Sequence, residues 1–370
     1  MEEIPLEPPP AEPAPTPAAE SQAPAVPASP PPRRPRSRLL YLLVPLLRTI
    51  LYLVAYVLVE VGLALFLRSL PFLIGGPLFR PGGFGHSVEF QLLAILLSIA
   101  PQLLVLWLFA RFLDRRSMAS LGFRLPEGGR PAALRQLVLA PLGALAVLGV
   151  WLALILALPD AVAAVRFGGI SPQFTHGPSW WPLPPVLLLG LLLAAFILQG
   201  GLEEWMMRGY IYRTLRERWR PWVSALVSSV LFSLLHAANP NVSAAALFNI
   251  VLAGMVLAAL VERTGSLWSA TLAHGVWNFA VACLLSVPVS GVSIFHLLTV
   301  GIAGDPTVTG GGFGPEGSAV LTGLGILLTA WLWRGMWSRT ADRPWAAVHL
   351  PSPPSPSPST PEDVPGPVSS

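Results

Sequence analysis

Six residues in the middle of this 370-residue chain have the side chains and spacings to do chemistry. Glu203, Glu204 and Arg208 lie in "EEWMMR", His236 ends "FSLLH", and His274 and Asn278 bracket "HGVWN". All sit within or at the ends of long apolar runs, where an ionised side chain costs at least ~2.5 kcal/mol on insertion scales. An i, i+4 pair projects from one helix face, so His274 and Asn278 can reach one object together. Glu204 and Arg208 share that spacing with the acid first, the favoured order for a helical ion pair. Glu203 is turned by ~100° from Glu204 on a helix, so the two neighbours must do different jobs.

A carboxylate, two imidazoles and a side-chain amide in a partly dry site suit hydrolysis. Glu203 can take a proton from water and return it later, and His236 can help hold that water. His274 and Asn278 can aim donors at a developing carbonyl oxyanion, where low dielectric makes them effective. Rival intramembrane chemistries lack their parts. There is no H-E-x-x-H helix, no G-x-S-x-G, and Asp305 in "AGDP" falls in a loop without a partner aspartate. The bland alternative is a set of hydrogen bonds bridging helices. That alternative is the reading for Glu60, Gln91 and Gln102, which have no comparable partners in the sequence. His86, His176, His296 and His349 fall in loops or a tail and read as solvated.

These groups need elements to position them, and composition says which. The chain is 53% hydrophobic and 11% charged, against ~25% charged in soluble domains, so it is an integral protein of a lipid bilayer. About 20 apolar residues cross the hydrocarbon core. That length places spans at 47–67, 89–112, 136–158, 184–204, 222–238, 243–261, 266–288 and 318–337. The expected fold is all-α, about eight helices in one bundle over residues 39–343, between a Pro/Ala-rich tail (1–38) and a Pro/Ser-rich tail (344–370), both disordered. The acidic, proline-dense opening lacks the basic start and apolar core of a signal peptide. Arginine, the only basic residue besides histidine, gathers on one side of these spans, which places both termini in the cytoplasm. The arginines are spread along the chain, so no nucleic-acid partner is indicated. One cysteine, Cys283, excludes an internal disulfide and a multi-cysteine zinc site.

Glu203 and His236 are symmetric about Trp219, each ~25 Å from that turn at helical rise. His274 is ~15 Å past the turn at Gly265, so the depths match if "RGYIYRTLRERWRPW" stands ~10 Å proud of the membrane. The arginines of that hairpin fit such exposure. The outer loops, "TGGGFGPEGS" among them, read as flexible connections without chemistry of their own.

The three motifs, taken in order, resemble E-E-x-x-x-R, F-x-x-x-H and H-x-x-x-N of the CAAX-protease and bacteriocin-processing (CPBP, or Abi) family. The resemblance covers Gln199 to Asn278, with a softer similarity at "LGFRLP" from Leu121. It implies an intramembrane endopeptidase of the cell membrane acting on membrane-associated or secreted peptides. By motif match Glu203 would be the base on water, His236 its partner, and His274 and Asn278 the oxyanion site. Glu204 and Arg208 would support the architecture. Both a metallopeptidase and a metal-independent glutamate mechanism are proposed for the family, and Glu203, His236 and His274 form a donor set that could bind zinc. The reading from a different class is a bacteriocin-immunity or scaffold protein that uses the same residues as a binding surface.

Overall fold

The structure, a computed structural model, describes residues 38–74, 88–126, 128–160, 162–174, 184–293 and 295–337. The two tails, and with them His349, lie outside the described residues, as do His86 and His176 and the side chains of Gln91 and His296. Helices α1 (Arg38–Ile74), α2 (Val88–Leu108) and α3 (Gly129–Leu156) lead into strand β1 (Ala163–Phe174). There follow α4 (Pro185–Glu204), the one-turn α5 (Arg213–Arg216), α6 (Pro221–Leu235), α7 (Ala244–Thr264) and α8 (Leu267–Phe279). Strand β2 (Phe295–Gly304), the short α9 (Pro306–Thr309) and α10 (Ala319–Trp333) complete the described chain.

Six segments are long and apolar enough to cross a bilayer, so this is a multi-pass helical bundle. They are α1, α2 continued to Leu113, α3, α4 continued to Arg216, α7, and α8 continued to Leu284. The other two expected spans are shorter than the sequence implied. Helices α6 and α10 have 15 residues each, ~22 Å at helical rise against a hydrocarbon core of ~30 Å. Pro221 sets the start of α6, and the chain turns at His236. Ser318 caps the start of α10, and Gly335, at φ +75°, lies just past its end. The helical bundle agrees with the all-α expectation, and it carries in addition an antiparallel ribbon, with Ala163 opposite Gly304 and Phe174 opposite Phe295. Its paired residues lie about 120 to 140 positions apart in sequence, beyond the reach of local periodicity.

The helix ends meet at two faces. At the arginine-rich end Arg48 of α1 pairs with Glu217 at 2.9 Å and with Asp114, and Arg116 also pairs with Glu217. The "LGFRLP" stretch docks on the turn between α7 and α8. Leu267 N–H donates to Gly122 O at 3.0 Å, and Ser266 Oγ to Arg124 O at 2.6 Å. The first part of the hairpin is packed inside the protein, whereas Arg220 near its end is exposed. Arg208, Arg213 and Arg216 are at most 2% exposed. Buried cations need partners, and these have them: Arg213 donates to Ser120 O at 2.7 Å and Arg216 meets Glu262 at 3.4 Å. The backbone there is a π-helical turn, Trp205–Tyr212, with every residue buried.

At the opposite end, three connections lock together. Asn239 Nδ2 donates to Ser290 O (3.0 Å), Gly291 N to Phe313 O (3.0 Å) and Asn249 Nδ2 to Glu316 O (2.8 Å). Gly291 has φ +82°, and a Cβ there would lie 2.1 Å from Pro240 O, so only glycine lets the strands of this plug touch. The glycine-rich loop is therefore a packed plug, which corrects its reading as a loose connection.

Candidate active site

Helices α4 and α8 cross at close range because both carry glycine at the crossing. A Cβ on Gly200 would lie 3.1 Å from Gly275 N, and one on Gly275 would lie 2.5 Å from Ile197 Cα. That approach brings the residue before Gly275, His274, between the two glutamates of α4. Its Nδ1 is 2.9 Å from Glu204 Oε1, and its Nε2 is 3.7 Å from Glu203 Oε2. Glu204 and Arg208 are fully buried, with Arg208 Nη1 donating to the same Oε1 at 2.9 Å. A carboxylate held this way is an acceptor, so Nδ1 of His274 carries the proton that it donates. Nε2 is then the atom that His274 turns toward Glu203.

Glu203 keeps 21% of its side chain exposed. Its other oxygen accepts from Gln199 Nε2, one turn earlier on α4. Gln199 Oε1 in turn accepts from Asn278 Nδ2 at 3.2 Å. Three of the four residues with expected chemistry, Glu203, His274 and Asn278, are thus joined in one network. Gln199 was not singled out in the sequence, although its i, i+4 relation to Glu203 is legible there.

His236 stands apart. Its Nδ1 is 2.9 Å from Phe232 O, a carbonyl that can only accept, so this nitrogen bears hydrogen and Nε2 is free to face outward. The Phe232 ring touches His236 at 4.7 Å and His274 at 6.0 Å between centroids, and Arg208 lies over it at 4.8 Å. Among the described residues His236 makes no hydrogen bond to Glu203, His274 or Asn278. Nor do any three His, Cys, Asp or Glu side chains among them group closely enough to hold a metal ion. The donor set Glu203, His236 and His274 is therefore not assembled as a zinc site.

A cavity of about 450 Å³ opens beside the network, between α3, α7, α8 and α10. Its walls are mostly apolar, with Leu139, Val147, Leu257 and Leu328 among them, and His236, His274, Asn278 and Glu316 supply polar groups. Glu203 is not part of this lining. A second polar group joins α1 and α2. There Tyr56 Oη donates to Gln102 Oε1 at 3.3 Å, and Gln102 Nε2 donates to Glu60. Glu60 and Gln102, which looked partnerless in sequence, are partners of each other across α1 and α2.

Residues 185–280 match the family model described as type II CAAX prenyl endopeptidase Rce1-like. That segment contains all three motifs, and the chain's resemblance to the CAAX-protease family rests on it. No curated protein matches the chain. A match to this family supports endopeptidase activity within the membrane as the general class.

Proposed function

We propose that the protein is an intramembrane endopeptidase in which Glu203 activates water and His274 and Asn278 receive the oxyanion. The observation that carries this reading is the paired grip on Glu203: Gln199 holds one oxygen while His274 Nε2 faces the other at 3.7 Å. A carboxylate fixed in this way has one oxygen committed and one left to take a proton. Water reaches Glu203 at the part of its side chain that stays exposed. Glu203 removes its proton as the oxygen attacks the peptide carbonyl, which the cavity presents at His274 and Asn278. Charge gathers on the carbonyl oxygen, and the two side chains donate to it, His274 from Nε2 as an imidazolium whose Nδ1–H stays on Glu204, and Asn278 from its amide. Glu203 then passes its proton to the leaving nitrogen as the C–N bond breaks.

Glu204 and Arg208 hold the site together: their pair fixes His274 by Nδ1 and leaves Nε2 for the reaction. The cavity walls suit apolar side chains beside the scissile bond, which agrees with membrane-associated or secreted peptides as substrates. No step needs a metal. The test is cleavage of a quenched peptide library by the purified protein in detergent. Glu203→Gln keeps size and hydrogen bonding but removes proton acceptance, and should cost ~10²–10⁴-fold in rate. If the wild type cleaves nothing, and binds a peptide or partner as well as the Glu203→Gln variant does, the immunity or scaffold reading replaces this one.

A further inference from the structure

The plug at the end of the bundle carries a carboxylate that the mechanism above does not use. Glu316 is partly buried and lines the same cavity as His274 and Asn278. Trp277 Nε1 donates to its Oε1 at 2.9 Å. Ser290 donates to its Oε2 twice, from the backbone N–H at 2.5 Å and from Oγ at 3.1 Å. Three donors facing two oxygens suit an ionised carboxylate, and Oε1 keeps room for a second donor. Trp277 is the residue before Asn278 on α8, so the carboxylate is anchored beside the oxyanion end of the network.

Other carboxylates in the protein meet an arginine: Asp114 meets Arg48, Glu204 meets Arg208 and Glu262 meets Arg216. Among the described residues Glu316 meets only the neutral donors of Trp277 and Ser290. It is also the only carboxylate among the described residues that line the cavity, and none of them is an arginine. An anion without a counter-charge beside apolar walls is costly to keep, and a cation brought by a substrate relieves that cost. Lysine and arginine side chains fit both features of the cavity. Their apolar stems can lie along walls such as Leu257 and Leu321, and their charged heads can reach the carboxylate. An acidic side chain would meet like charge there and find no arginine to receive it. We propose that Glu316 is a specificity residue of this cavity, selecting peptides that carry a Lys or Arg side chain beside the scissile bond. The inference rests on the protease reading and narrows it, from apolar peptides to those with a basic residue in the apolar stretch.

The experiment uses the purified full chain in detergent and peptides blocked at both ends, so that any cation belongs to a side chain. They differ only in having Lys, norleucine or Glu at successive positions around the cleaved bond; norleucine keeps the stem of lysine without its charge. At one position the wild type should favour Lys over norleucine by about ten-fold in kcat/KM, the size of one charge-assisted hydrogen bond, with Glu the poorest. Glu316→Gln should level Lys and norleucine at that position. Both values come from one preparation, so their ratio does not depend on how much of a variant is folded. Asn241→Ala loosens the same plug by removing the donor to Gly312 O, and should keep the preference. If Glu316→Gln yields no folded protein, Glu316→Asp sets the charge one methylene further back and should shift the preference from Lys toward the longer Arg. The proposal is overturned if the wild type favours Lys at no position, or if Asn241→Ala loses the preference as Glu316→Gln does. It is equally overturned by a ratio unmoved in Glu316→Gln or, where that variant fails, in Glu316→Asp; Glu316 is then an anchor of the plug alone. A wild type that cleaves none of the peptides overturns the protease reading instead. Binding of the Lys and norleucine peptides to wild type and the Glu316 variant, read by fluorescence anisotropy, then decides whether Glu316 recognises the cation.

Discussion

At the residue scale, adjacent glutamates with opposite duties explain why two carboxylates sit in an apolar helix. Glu204 is sealed between Arg208 and His274, with no exposed side-chain surface, while Glu203 keeps a face open. Removing one partner of a buried ion pair leaves the other charge uncompensated, at a cost of ~3–5 kcal/mol. Arg208→Ala should therefore lower thermal stability and yield, whereas Glu203→Gln should be produced at near wild-type levels. Melting curves of the two purified variants compare them directly, and equal losses would make Glu203 structural as well. Gln199 belongs to the same logic. Its amide accepts from Asn278 and donates to Glu203, so it joins the proposed base to the proposed oxyanion donor.

Among the elements, the crossing of α4 and α8 carries the geometry. Side chains at His274 and Glu203 face each other because two glycines let the backbones touch. A methyl on Gly275 would meet three backbone atoms of α4: Ile197 Cα at 2.5 Å, Ile197 N at 2.9 Å and Phe196 O at 2.9 Å. None of these can swing away as a side chain would. Carbon atoms rest ~3.5–4.0 Å apart, so the helices must separate by about 1 Å. Misplacement on that scale can cost ~10²-fold in rate. Gly275→Ala is expected to lose that factor in cleavage, while Gly149→Ala on α3, with nothing within 4 Å of its new methyl, should be silent. Equal activity in the two variants would remove the crossing from the account. The π-helical turn after Glu204 belongs to this scale too, since such turns recur at functional sites.

For the whole molecule, the arginine-bearing connections assemble at one end of the bundle. Arg48, Asp114, Arg116 and Glu217 tie α1, α2 and the turn before α6, and Arg263 Nε donates to Leu332 O at 2.8 Å, tying α7 to α10. The asymmetry in arginine motivates the proposal that this end faces the cytoplasm. Arg216 cannot report on it, being 2% exposed, but Arg220 is exposed at the start of α6. In a Cys283→Ala background, Arg220→Cys should react with an impermeant thiol reagent only after cells are opened. Labelling of intact cells at that position would reverse the orientation.

What the sequence determined alone was the membrane class, most of the helices and three residues of the network, Glu203, His274 and Asn278, because these are local signals. Hydropathy over ~20 residues marks a span, and an i, i+4 spacing marks a shared face whatever the surroundings. The pairing of Glu204 with Arg208 was legible for that reason. Tertiary structure decided the rest, because it depends on which distant segments supply partners. Arginines at 213 and 216 read as solvated until the carbonyl of Ser120 and Glu262 were found beside them. Glu60 and Gln102 read as partnerless until α1 and α2 were seen to join them. Glu316, in a loop that looked inert, reaches the site only because glycines let three connections fold into one plug. A polar group in a low-dielectric interior is defined by its partner, and partners some forty to a hundred and seventy residues away are chosen by the packing of the chain.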